Sequence, residues 1–135
     1  MTATGLQTPV SVATEYAALR FIIDQAILKV QTSMPVRVVA VSNSGDLSPV
    51  GTVDVVPQVQ MVSGDGQTIP HGTITGVPYI RIQGGTNAVI LDPQVGDLGV
   101  CLFASRDISA IKADPAAPAG APPPSARVFD FSDGI

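Results

Sequence analysis

One histidine, one cysteine and eleven acidic side chains are the groups with which this 135-residue chain could carry out covalent, metal or proton chemistry. His71 sits in IPHGTI, between a proline and a glycine, where an imidazole hydrogen-bonds backbone or bridges subunits. As a general base it would need Asp65 or Asp92 beside it, and no second His or Cys is close in sequence to complete a metal site. Cys101 is alone in the run VCLFA, so no disulfide can form within the chain, and it reads as a small buried hydrophobe. Asp65, Asp92, Asp97 and Asp107 each stand beside Gly, Pro or a helix start, where short carboxylates bond local backbone. Gly84 and Gly85 lead through Thr86 and Asn87 into a strand, the wrong element for a phosphate cradle. No GxSxG, HExxH, calcium-spaced acidic loop or phosphate loop ending in Lys-Ser/Thr occurs. These residues predict a protein that is not an enzyme and that uses no metal and no cofactor.

Composition narrows the partners. The chain carries a formal charge of −4 and a sequence pI near 4.5. A phosphate backbone is therefore repelled at long range, and seven scattered Lys and Arg make no basic groove. Aromatic residues are only 4% of the chain, with no Trp, so stacking platforms for single strands are missing as well. These features argue against nucleic acid as a partner and leave it a minority expectation. Hydrophobic residues reach 45% against 13% charged, and mean hydropathy is +0.36. For a 13.8 kDa chain with room for one core that buries about 65% of its unfolded surface, this is an apolar excess suited to subunit contacts. No apolar run approaches the roughly 20 residues of a membrane span. MTATGLQTPV lacks the cationic and apolar regions of a signal peptide, which predicts synthesis and retention in a cytoplasm.

The elements follow from periodicity. Residues 1–10 read as a polar arm, and residues 11–34 as a helical segment whose helix runs from about 11 to 31. Either Ser11 is its N-cap, or Thr8 is, with Pro9 at the first helical position; Thr32, Ser33 and Pro35 end it. Tyr16, Leu19, Ile23, Ala26 and Val30 recur at intervals of three and four, the seam of a coiled coil, while Phe21 and Leu28 lie on another side. Such a helix either covers its own domain or meets another subunit. Arg20 and Asp24 offer an i,i+4 ion pair.

A first strand is expected over 36–43, a turn at 44–46, and a long second strand over 50–62, with Val53, Val55, Val59 and Met61 on one face. Pro57 marks an edge, bulge or bend in it. SGDGQ at 63–67 signals a hairpin, and a short element over 69–75 precedes a strand over 77–83. Residues 70–107 then alternate β-branched runs with turns: GGTN separates YIRIQ from AVILD, and DPQVGD separates AVILD from LGVCLFAS. That is a three-strand meander, read as the closing strands of a small antiparallel barrel. ISAIKA forms a helical turn with Asp107 as N-cap, and DPAAPAGAPPPSA is a semi-extended linker able to span about 40 Å.

The succession IPHG, VPY, the GG pair, DPQVGD and SRDIS, together with the terminal VFDFSDGI, resembles the N-terminal domain of the membrane-piercing central spike proteins of contractile-tailed phages. The likeness covers residues 36–112 and returns at 128–135. It implies a mainly β fold: a small antiparallel oligonucleotide/oligosaccharide-binding (OB) type Greek-key barrel with an N-terminal helix and a Pro-rich C-terminal linker. It also implies a homotrimeric virion protein of the tail baseplate, made in the host cytoplasm. Its partners would be the baseplate hub protein and a spike tip supplied in cis or in trans, and it would touch the host membrane only indirectly. Relatives continue from a segment like FDFSDGI into a triple-stranded β-helix, so the piercing tip is expected to be missing or to belong to another chain. The resulting plan is an arm (1–10), helix (11–34), barrel (35–112), linker (113–126) and a tail toward a spike (127–135) held apart from the barrel. The expected oligomer interface is Tyr16, Leu19, Ile23, Ala26 and Val30. The competing expectations are a monomeric OB module for carbohydrate or nucleic acid, and a small hydrolase using His71.

Overall fold

The computed structural model describes residues 14–43, 51–114 and 119–135. Helix α1 (Glu15–Leu28) precedes eight strands: β1 (Ser33–Ser42), β2 (Thr52–Pro57), β3 (Met61–Val62), β4 (Thr68–Ile69), β5 (Ile74–Pro78), β6 (Ile82–Gly84), β7 (Asn87–Val89) and β8 (Leu98–Leu102). A short helix α2 (Ser109–Ala113) and a 3-10 turn (Phe131–Asp133) follow. The protein is thus mainly antiparallel β with one N-terminal helix.

Four strands form the main sheet in the order β5-β2-β1-β8. Its core is one face of alternating β-branched residues: Val36, Val38, Val53, Val55, Ile74 and Val77, completed by Cys101 and Phe103. Burying each aliphatic side chain contributes about 1.5–3 kcal/mol, so this face is the main source of the fold's stability. β1 is central because ten consecutive residues without a charge except Arg37 let it pair on both edges. Its register slips between Val38 and Ala40. At that bulge the Val38 N–H donates to the Asp97 carbonyl and the Gly96 N–H to the Val38 carbonyl, each at 2.9 Å. The DPQVGD turn is thereby stitched to the sheet, with Gly96 at φ +101°, a conformation a side chain would oppose.

Several sequence expectations need correction. α1 starts at Glu15 with Thr14 as N-cap, its Oγ1 accepting from the Ala17 N–H at 3.1 Å; Ser11 and Thr8 lie outside the described residues. Ser33 to Pro35 belong to β1 rather than to a helix end, because their backbone pairs with β8. The long second strand breaks at Pro57, which has no N–H to continue a ladder. Val53 and Val55 are buried as expected, but Val59 and Met61, beyond the break, are exposed. The strand expected over 77–83 also breaks, as β5 ends at Pro78 and β6 begins at Ile82. Asp107 is not at the N-cap position of α2, which is Ile108; it stands one residue earlier, and from there its carboxylate accepts from the Ser109 N–H at the helix start. The turn at 44–46 and the arm at 1–10 lie outside the described residues.

The three-strand meander is not formed. β6 and β7 pair only with each other around the GGTN turn, and β8 pairs with β1. Among the described residues no ladder joins β5 to β8, so the sheet is an open curved layer and not a closed barrel. The strands that would close it are held in their own hairpin, whose three paired positions each satisfy the partner across the turn.

Candidate functional site

The C-terminal segment was expected to stand apart from the β domain; instead it is strapped to it. Ile135 exchanges both backbone hydrogen bonds with Leu102, at 3.0 and 2.8 Å, and the Ala104 N–H donates to the Asp133 carbonyl. Phe131 turns its ring edge-on to Phe103 and to His71, with centroids 5.3 and 5.1 Å apart. A polar cluster locks this arrangement. Arg127 donates to Asp133 Oδ1 at 2.8 Å and to Asp107 Oδ1 at 2.9 Å, and both carboxylates are buried. Asp107 also accepts from the Ser109 N–H and hydroxyl and from the Ser125 hydroxyl. The Ser109 hydroxyl first, then that of Ser125, hold its carboxyl at about 2, against an ordinary 3.8. The Arg127 guanidinium lowers Asp133 in the same direction. Lys112 Nζ donates to the Ser132 carbonyl at 2.8 Å. Phe129, at φ +49°, is the one non-glycine in the left-handed region among the described residues, and it lies between Arg127 and the Asp130 cap of the 3-10 turn.

Sequence reasoning missed Arg127. The available signal was that it is the lone basic residue after Lys112, set between a proline-rich run and two aspartates.

A second polar cluster fixes the base of the β6–β7 hairpin. Tyr79 Oη donates to Asp92 Oδ1 at 2.5 Å, and Arg81 donates to the same oxygen at 3.2 Å. Asp92 is thus committed to Tyr79 and Arg81, while Asp65 is committed to Ser63 and the Gln67 N–H within its own loop. His71 faces the Phe131 ring. The hydrolase arrangement of His71 with either carboxylate is not assembled. Among the described residues no group of three His, Cys, Asp or Glu side chains could hold a metal ion.

Among the described residues, two stretches of uncovered apolar surface bear on assembly. The first is α1. Tyr16, Leu19, Ile23, Ala26 and Val30 are all exposed, at 73% for Tyr16, 61% for Leu19 and 57% for Ile23. Val30 falls beyond the helix end at Leu28, so the helical seam is one position shorter than its spacing predicts. The half-buried residues of α1, Ala17, Ala18, Phe21, Asp24 and Gln25, share the opposite side, so the seam points away from its own chain. Arg20 and Asp24 do not appear among the ion pairs of the described residues. The second surface is the open mouth of the sheet, a cleft of about 390 Å³. Core residues such as Val38, Val53 and Val77 line it together with Leu98 and Val100 of β8, Ile80 and Leu91 on either side of the β6–β7 hairpin, and the aspartates Asp92 and Asp97.

No protein-family model and no curated protein matches the chain.

Proposed function

We propose that this chain is a structural subunit, a trimeric adapter at the centre of a contractile phage baseplate that joins the tail hub to a membrane-piercing tip. The observation that carries the oligomeric part is surface. The uncovered area includes the aliphatic seam of α1 and the walls of the cleft, which a solitary domain would leave wet. The phage assignment rests on the order IPHG, GGTN, DPQVGD, SRDIS and VFDFSDGI in the sequence. In this reading the sheet is an OB-type Greek-key barrel with its closing strands open: β1 pairs with the next strand on one side and with the last on the other.

The work of such a subunit is mechanical. It passes axial force through packed apolar contacts between hub and tip, with no bond made or broken, and it meets the host membrane only through the tip. Sizing with light scattering over a wide concentration range tests the reading, first alone and then with a baseplate hub protein. A three-fold mass supports it. A monomer under both conditions sinks it and favours the solitary binding module.

A further inference from the structure

We propose that the C-terminal strap, residues 125–135, is a latched cover: it opens as one unit, baring the Cys101 thiol and the outer edge of β8 while the four-stranded sheet stays paired. All the contacts involved lie within one chain, so the opening does not depend on assembly.

The sheet and the strap are held by different forces. The core of the sheet is hydrophobic throughout, and the ladders joining β5, β2, β1 and β8 contain no residue of the strap. Within 125–135 only Asp133 and Gly134 are buried, and neither brings an apolar side chain. The strap is fastened instead by bonds to residues 102–112. Arg127 reaches Asp107, the Ile108 N–H donates to Asp133 at 3.1 Å, Lys112 reaches the Ser132 carbonyl, and Ala104 and Leu102 pair with Asp133 and Ile135. Arg127 is the centre of this set, because its fork also holds both oxygens of Asp133, at 2.8 and 2.9 Å. Loss of that guanidinium leaves two buried carboxylates without their shared cation, so the remaining bonds fail together. An element with directional bonds and little buried apolar area belongs to the low-stability end of a fold. Phe129 adds a bias toward opening, because its φ of +49° is strained for a non-glycine and relaxes once the strap is free.

What lies under the strap is specific. Gly134 crosses Cys101 so closely that an added Cβ would stand 2.8 Å from its Sγ, and Cys101 is only 2% exposed. Cys101 and Ile135 both border the cleft in the sheet, so lifting Ile135 opens a path from solvent to the sulfur. β8 ends the sheet, and LGVCL has neither a charge nor a proline to keep other strands off its outer edge. The strap closes one end of that edge, at Leu102 and Ala104. Opening therefore turns a capped edge into one that can accept a strand.

The test labels Cys101, the one thiol of the full chain, with a small aromatic disulfide at rising urea below the unfolding transition, and follows amide exchange in parallel. Labelling and exchange at the Leu102, Ala104 and Ile135 amides should report one opening, with a urea slope well below that of the β1–β2 ladder amides. Without urea, that opening should be populated at least about tenfold more than global unfolding. A thiol freed only on the slope of the ladder amides overturns the proposal, and so do strap amides that open on slopes different from the thiol's. Arg127→Gln should raise the labelling rate about a hundredfold or more. An unchanged rate in this variant would mean that the reagent reaches the sulfur past a closed strap, which also overturns the proposal. If the variant does not fold, the wild-type urea series decides, since it needs no substitution.

Discussion

Helix α1 runs directly into β1, and the C-terminal strap pairs with β8, the strand beside it, yet the two ends are held in opposite ways. The strap is fastened by directional bonds: two buried carboxylates share one guanidinium, serines fill the remaining acceptor positions, and a glycine lets the backbone close on Cys101. The helix has no buried residue and presents aliphatic side chains to solvent. Polar clusters of this kind are completed within one chain and fix a single geometry. Apolar surface has no direction and waits for whatever area can cover it. The strap is therefore a finished part of the protomer, and α1 is a part that a partner finishes.

The sharpest way to break this contrast is Asp133→Ala. It removes the fully buried partner of Arg127 and the acceptor of the Ile108 N–H. The expected loss is about 3–5 kcal/mol of protomer stability, read by denaturant unfolding and independent of protein concentration. A change below about 1 kcal/mol, the level of an exposed pair, would mean that the cluster is not holding the strap.

Ile23→Asp probes the other end. Ile23 is 57% exposed, so the isolated protomer should change by no more than about 0.5 kcal/mol. The assembly should weaken by several kcal/mol, because an unpaired charge enters a covered apolar site. The two variants together make the comparison quantitative: one shifts the unfolding midpoint at every concentration, the other only where wild type is assembled. A concentration-independent loss from Ile23→Asp would place Ile23 in the protomer's own core, and the contrast between the ends would fail.

Most of the chain's elements were readable from its sequence, and their partners were not. The turns SGDGQ, GGTN and DPQVGD appear where their glycines and aspartates place them, and Val53 and Val55 alternate into the core. Local residue chemistry decides those features. The pairing of β8 with β1 joins positions more than sixty residues apart, and nothing in either strand's pattern says which edge it will choose. Asp107 looked like a helix cap because its neighbours suit that role. Its partner Arg127 is twenty residues on, across a proline-rich run that reads as a spacer, so the buried cluster and the docked tail stayed hidden. The apolar seam of α1 was visible as a pattern, but a pattern does not say whether a face is covered.

Acid should loosen the strap before the sheet. Asp107 is held at about 2, below the ordinary 3.8, so the stability it contributes is fully present above 3.8 and is lost as pH falls toward 2. Asp133 and Asp130 are lowered too, by Arg127 and by Ser132 respectively, and add to the loss in the same direction. Protection of the Ala104 and Ile135 amides, whose N–H groups bond across the strap, should fall through that window and stay flat between pH 5 and 7 once the intrinsic pH dependence of amide exchange is divided out. Equal loosening at pH 6 would mean that some other group controls the strap. Gly134→Ala should act on the same contact more weakly. Its added Cβ would lie 2.8 Å from Cys101 Sγ, and the shift that relieves this should cost about 1–3 kcal/mol.

The smallest effect is the most discriminating for α1. A helix of 14 residues without a buried face is marginal in water, so its cap carries an unusual share of its stability. Thr14→Ala removes the acceptor of the Ala17 N–H and should cost about 1 kcal/mol of helix formation. In a dilute protomer this moves the helix–coil balance about fivefold, visible as lost ellipticity with no change in the unfolding of the sheet. Raising the concentration should restore the ellipticity, because a partner that covers the seam stabilises the helical form by mass action. If helicity stays low at every concentration while wild type stays helical in the dilute state, α1 is supported from within its own chain, and the division between a finished strap and an unfinished helix does not hold.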